Sequence, residues 1–217
     1  MIEKVGRRIR IPLSRVPADL PAGPSSAEPD DPPRIDFVAY GEDCLLVGQI
    51  ALGATRLSDL MNDHDEYELV DVEVHSLTGD PAARAQEVVV PREELLLVHA
   101  AGPRGDRAAR VRTRQHPIAI AAGPYQVRGY YHALPGADAI SSFRHRRPMV
   151  PLTDVWVEYR LGGVPQRRRV ATLLVNRQQI DWVVEAEDEQ IELPDLPLAR
   201  EDGPLVKDFT GLVFARD

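Results

Sequence analysis

Two stretches of this chain repeat each other, and no other feature of the sequence limits its fold as strongly. In residues 35–100, V-G-Q-I-A-L (47–52) precedes R-L-S-D-L-M-N (56–62) and then L-V-D-V-E-V (69–74). In residues 116–186 the same order returns as V-R-G-Y-Y-H-A-L (127–134), A-D-A-I-S-S-F (137–143) and L-T-D-V-W-V (152–157). Asp71 and Asp154 correspond at an offset of 83 residues. The closing signatures V-P-R-E-E-L-L-L-V (90–98) and V-N-R-Q-Q-I-D-W-V (175–183) correspond at 85. A unit that recurs with so little change in length is one folding motif used twice, its differences confined to loops.

The dominant period inside each copy is two residues, the signature of a half-buried strand. Val70, Val72 and Val74 are expected on one face, with Asp71, Glu73 and His75 on the other. In the second copy Val155, Val157 and Tyr159 point inward while Asp154, Glu158 and Arg160 point outward. Trp156 falls on the polar face, where an aromatic suggests a second packing surface. Gly79-Asp80-Pro81 and the run Gly162, Gly163, Pro165 carry the turn chemistry that ends these strands. One short helix per copy is expected, over 56–62 and 138–143, with Ser58, Asp59 or Asp138 near its start as caps. The fold class read from these patterns is all-β: a tandem repeat of two small barrels with one short helix each.

Each copy resembles an Sm-like or SH3-like small β-barrel. Gly48, Asp59, Met61, Asn62 and Asp71 stand in the order of the first Sm motif, and the closing signatures are similar to the second in aliphatic spacing and in Arg92 or Arg177. Glu93 or Gln178 stands where that family has glycine, and Phe143-Arg144 replaces Met-Asn in the second copy. The segments also resemble bacterial domains of no established function that carry L-T-D-V-x-V and V-N-R-x-x-I. The resemblance implies a fold and no activity.

Outside the copies, residues 1–16 alternate like an edge strand or docking arm. Residues 17–33 hold six prolines, which remove backbone donors and favour a solvated, extended linker. Residues 187–217 form an acidic extension in which L-V-K-D-F-T-G-L-V-F (205–214) is expected to be a last strand able to pair with a sheet edge. With 43% hydrophobic and 28% charged residues the chain has globular composition, one cysteine, and neither an apolar run of bilayer length nor a signal-like start. A cytoplasmic protein without membrane contact is expected.

The net charge of −8 conceals a basic island. Residues 104–170 hold 13 Arg against four acids, a net of +9, while the rest of the chain carries −17. Self-neutralisation by the acidic segment 185–202 and a polyanion-binding face both account for it. Tyr125, Tyr130, Tyr131, Phe143 and Trp156 interleave with arginines, a mixture suited either to a protein interface or to stacking on single-stranded nucleic acid.

No Walker, G-x-S-x-G or dinucleotide glycine pattern occurs, and His64, His75, His99, His116, His132 and His145 show no metal-ligand spacing. Cys44, beside Leu45 and Leu46, reads as a buried small hydrophobe. The expectation is therefore a non-catalytic interaction or self-assembly module, with no catalytic, cofactor or metal site. The expected partner is protein or self, through Arg144, Arg146, Arg147, Arg167, Arg168, Arg169, Tyr130 and Trp156. The alternative is RNA or single-stranded nucleic acid bound by the Arg-rich second copy.

Overall fold

Strand-forming alternation extends through both copies, and its product is one sheet. The computed structural model describes residues 32–103 and 111–191. The docking arm 1–16, nearly all of the proline-rich 17–33 and the final strand at 205–214 lie outside the described residues, as do Arg104, Arg107 and Arg110.

The first half runs β1 (Arg34–Tyr40), β2 (Cys44–Ala51), α1 (Leu57–Asp63), β3 (Glu66–Ser76), β4 (Ala83–Pro91), a 3-10 turn (Arg92–Glu94) and β5 (Leu97–His99). The second runs β6 (Arg114–Ala122), β7 (Tyr125–Ala133), α2 (Ala139–Arg144), β8 (Met149–Leu161), β9 (Val164–Asn176), β10 (Trp182–Glu185) and a short α3 (Asp188–Ile191). In each half four strands form a meander and the last, short strand returns beside the first. Thus β5 pairs with β1 and β10 with β6, all antiparallel.

The chain is mainly β, yet it does not form two separate closed barrels. All ten strands belong to a single open sheet ordered β10-β6-β7-β8-β9-β5-β1-β2-β3-β4. The reason lies in β5, only three residues long, which uses both of its edges. One edge meets β1, and the other meets β9 through Leu97↔Val175, Val98↔Leu174 and His99↔Leu173. The cores interleave accordingly. Val38, Tyr40, Leu45, Leu96 and Leu97 of the first half pack in the core of the second, and Met149 and Leu174 of the second pack in the core of the first.

A β-bulge bends each half at the same place. Gly48 and Gly129 sit where the β2–β3 and β7–β8 registers slip, opposite Asp71-Val72 and Asp154-Val155. Asp71 (φ 52°) and Asp154 (φ 48°) are the two non-glycine residues with positive φ among the described residues. Asp tolerates that region because its short carboxylate can bond locally to the backbone. Glycine is needed opposite because the strands close in. A Cβ on Gly48 would lie 2.9 Å from the Val70 carbonyl oxygen. Gly48→Ala is thus expected to cost about 1–2 kcal/mol through forced strand displacement, whereas Gly53→Ala, with nothing within 4 Å, should change the urea midpoint little. Equal effects from the two substitutions would refute the close-approach argument.

The bulge also corrects the expected faces of β3. One inserted residue reverses inward and outward, so Leu69 and Val72 are buried while Val70 turns away from the core. His75, expected on a polar face, is only 6% exposed, beside Leu45, which packs with the second half. In β8 the inward set Val155, Val157 and Tyr159 holds as expected.

The helices begin one residue later than the sequence suggested. In α2, Asp138 caps the helix by accepting a hydrogen bond from the Ser141 N–H at 2.6 Å. In α1 the capping position falls to Arg56, without a side-chain bond, and Asp59 lies in the first turn. Each helix buries an i, i+4 pair, Leu57 with Met61 and Ala139 with Phe143.

Candidate functional site

Three places bring chemically informative side chains together: the outer face of the second half, the seam between the halves, and the two free sheet edges.

On the outer face, strand register places Arg128, Trp156 and Arg169 in one row across β7, β8 and β9. The guanidinium carbons of Arg167 and Arg169 each lie 5.9 Å from the Trp156 ring centroid, so two cations flank one indole. Carboxylates already attend them. Arg167 Nε donates to Glu158 at 2.7 Å, and Arg169 approaches Asp154 at 3.8 Å. The first half lacks this patch, having Glu73 opposite Arg84 where the second has Trp156 opposite Arg169.

The residues expected to form one partner-binding surface divide among several places. Alternation along β9 sends Arg168 to the opposite face from its neighbours, where its Nε donates to the Tyr159 hydroxyl at 3.0 Å. Arg146 donates to the Tyr131 hydroxyl at 2.9 Å and lies over that ring, and Arg147 pairs with Asp63 of the first half at 3.1 Å. Arg144 is exposed at the end of α2, and Tyr130 is half-buried between Pro117 and Thr153. Of the eight, Arg167, Arg169 and Trp156 cluster on the outer face, where Tyr130 follows two residues after Arg128 on β7.

At the seam, Tyr40, Tyr125 and Tyr159 meet with ring centroids 5.2–5.8 Å apart. Tyr40 bonds His99 Nε2 at 2.8 Å, and Tyr125 donates to the Gly41 carbonyl at 2.8 Å across the halves. Burial, reinforced by the Arg168 charge, lowers the His99 pKa to about 4, so the ring that shares this hydrogen bond with Tyr40 is neutral. A depression of about 260 Å³ opens beside it, lined by His99, Ala100, Arg168, Arg169 and Thr172 among others.

Two asparagines of the repeated motifs also cross the seam. Asn176 Nδ2 donates to the Arg92 and Leu95 carbonyls at 3.0 and 2.9 Å, and Asn62 clasps the Met149 N–H and C=O at 3.0 Å each. The outcome of these contacts is cohesion. Cys44 is buried, and desolvation followed by Asp43 pushes its thiol up to about 12, far from a reactive thiolate.

Among the described residues, the strands at the two edges of the sheet are β4 and β10. Val89 on β4 is 57% exposed, and Trp182 and Val184 on β10 are 45% and 49% exposed. They did not figure among the expected site residues, although the repeat carried the signal. At the offset of 85, Val89 stands where Leu174 stands and Trp182 where Leu97 stands, and both of those are 0% exposed.

Among the described residues no group of three or more His, Cys, Asp or Glu is placed to hold a metal, and no helix is long and apolar enough to cross a membrane. Compared with protein-family models, with curated proteins and with solved structures, the chain matches none.

Proposed function

We propose that this chain is a non-catalytic assembly module: two Sm-like or SH3-like units fused through a shared strand, which bind protein through the sheet edges left open. The observation that carries this reading is the placement of exposed apolar side chains. Val89, Trp182 and Val184 lie on the two strands that have a neighbour on one side only among the described residues, the position from which further strands are recruited. Arginine contributes less than composition suggests. Arg146, Arg147, Arg167 and Arg168 are each held by groups of the same chain.

A second reading, single-stranded nucleic acid, is favoured by one observation, the indole of Trp156 flanked by Arg167 and Arg169. Glu158 and Asp154 weaken it by occupying those cations. Light scattering on size exclusion in low salt, with absorbance at 260 and 280 nm, separates the two. Assembly gives a whole multiple of 24.1 kDa with a protein-like ratio. A raised 260 nm signal that nuclease or salt removes, and that Trp156→Ala abolishes, supports nucleic acid and overturns the assembly reading.

A further inference from the structure

Resting on the assembly reading, we infer that the occupant of both free edges is a second copy of this chain, β10 of one molecule pairing with β4 of the next as β5 pairs with β9 within the molecule. The internal joint supplies the template. Shifted by 85 residues, Leu97↔Val175, Val98↔Leu174 and His99↔Leu173 become Trp182↔Val90, Val183↔Val89 and Val184↔Val88 between molecules, again antiparallel. Two residues buried in the internal joint are the counterparts of residues exposed on the edges. Leu174 enters the first half's core, and its counterpart Val89 stands in solvent. Leu97 packs in the second half's core, and its counterpart Trp182 protrudes. The face of β10 toward its own half is already satisfied, because Val183, counterpart of Val98, is buried in the second half's core. Each edge therefore lacks what the other carries.

The external joint is the weaker of the two, for two reasons visible in the same alignment. Asn176 gives its N–H to the Leu96 carbonyl, whereas its counterpart Pro91 has no N–H to give. Ala100 and Thr172 meet at the end of the internal joint, whereas their counterparts, the exposed Glu185 and Glu87, bring two carboxylates together. Association is accordingly reversible, and added salt strengthens it by screening that pair, the opposite of the response of a phosphate-binding face. The contact is head-to-tail, so it propagates until it closes into a ring or continues as a filament.

The full-length chain tests this in two ways. Val89→Lys or Val184→Lys places a charge on one edge at an exposed position, so the fold should persist by circular dichroism. Mass by light scattering should fall to that of the single chain, with the dissociation constant raised about tenfold or more. For register, two single variants, Val184→Cys and Val88→Cys, are mixed and oxidised. The backbone bonds Ala100 N–H to Thr172 O and Asn176 N–H to Leu96 O flank the internal joint, which makes His99↔Leu173, and hence Val184↔Val88, the closer type of pair. Its Cα separation of about 4.5 Å lies within disulfide reach. A disulfide-linked heterodimer is expected there and not from Val184→Cys with Val89→Cys, although Val89 is far more exposed.

An oligomer unmoved by either lysine and unlinked at 184 and 88 overturns the joint while leaving assembly standing. A single-chain mass at every concentration overturns both. A Val184→Cys thiol inaccessible to reagent in such a monomer identifies one of the chain's own terminal segments as the occupant instead.

Discussion

Leu174→Ala should lower the stability of the whole molecule by about 3–4 kcal/mol, and both halves should register the loss. Leu174 belongs by sequence to the second half but is 0% exposed within the first half's core, with Phe37, Leu57 and Met61. Truncation there removes buried methyl groups and leaves a cavity that a strand pinned on both edges closes poorly. The two tryptophans, Trp156 and Trp182, both lie in the second half. Their fluorescence follows that half, and far-ultraviolet circular dichroism follows the entire sheet. In urea the two signals should move together to a lower midpoint, as expected of one cooperative unit. If the dichroism transition shifts and the fluorescence transition stays, the halves unfold independently and the interleaved cores do not couple them.

Acid should weaken the fold in a defined window. The His99 pKa falls from an ordinary 6.5 to about 4 in the folded chain, through burial first and the Arg168 charge second. Below pH 6.5 the unfolded chain binds a proton that the folded one refuses, so stability declines as pH falls and the decline levels off near pH 4. The full effect is on the order of 3 kcal/mol. His132 contributes in the same direction, its pKa lowered by burial and partly restored by Asp154. His99→Gln keeps a hydrogen-bonding group for the Tyr40 hydroxyl and removes the titration. Urea midpoints at pH 7, 5.5 and 4.5 should therefore fall less steeply in the variant. Parallel profiles for the variant and the parent chain would show that His99 is not the group responsible.

Local structure was legible in the sequence, and the pairing between halves was not. Alternation located β3 and β8, the Asp138 cap marked α2, and Gly162-Gly163 marked the hairpin between β8 and β9. These features depend on neighbours within a few residues. The bulge at Gly48 and Asp71 was half legible: both residues stood out in the repeat, but the face reversal they cause depends on a glycine and an aspartate meeting across two strands. Sharing of β5 was not legible, because Val98 could pair as well with its own half's edge as with Leu174. The arginines show the same limit in reverse. Arg167, Arg168 and Arg169 are adjacent in sequence, so they look like one patch, yet a strand distributes neighbours to opposite faces. The repeat aligned the edge residues with their counterparts, but it could not show that Trp182 is exposed where Leu97 is buried, since the two differ in surroundings and not in position.

The shared strand β5 also sets a rule of parity. One joint in every chain is fixed by covalent connection, so units can be added only in pairs, and any closed ring of this molecule contains an even number of them. The pairs are unlike: one member presents Trp156 opposite Arg169, the next Glu73 opposite Arg84. Around such a ring the outward surface would alternate, aromatic and cationic at one position and ion-paired at the next. A ligand binding that surface would find sites equal in number to the chains and separated by a full two-unit step.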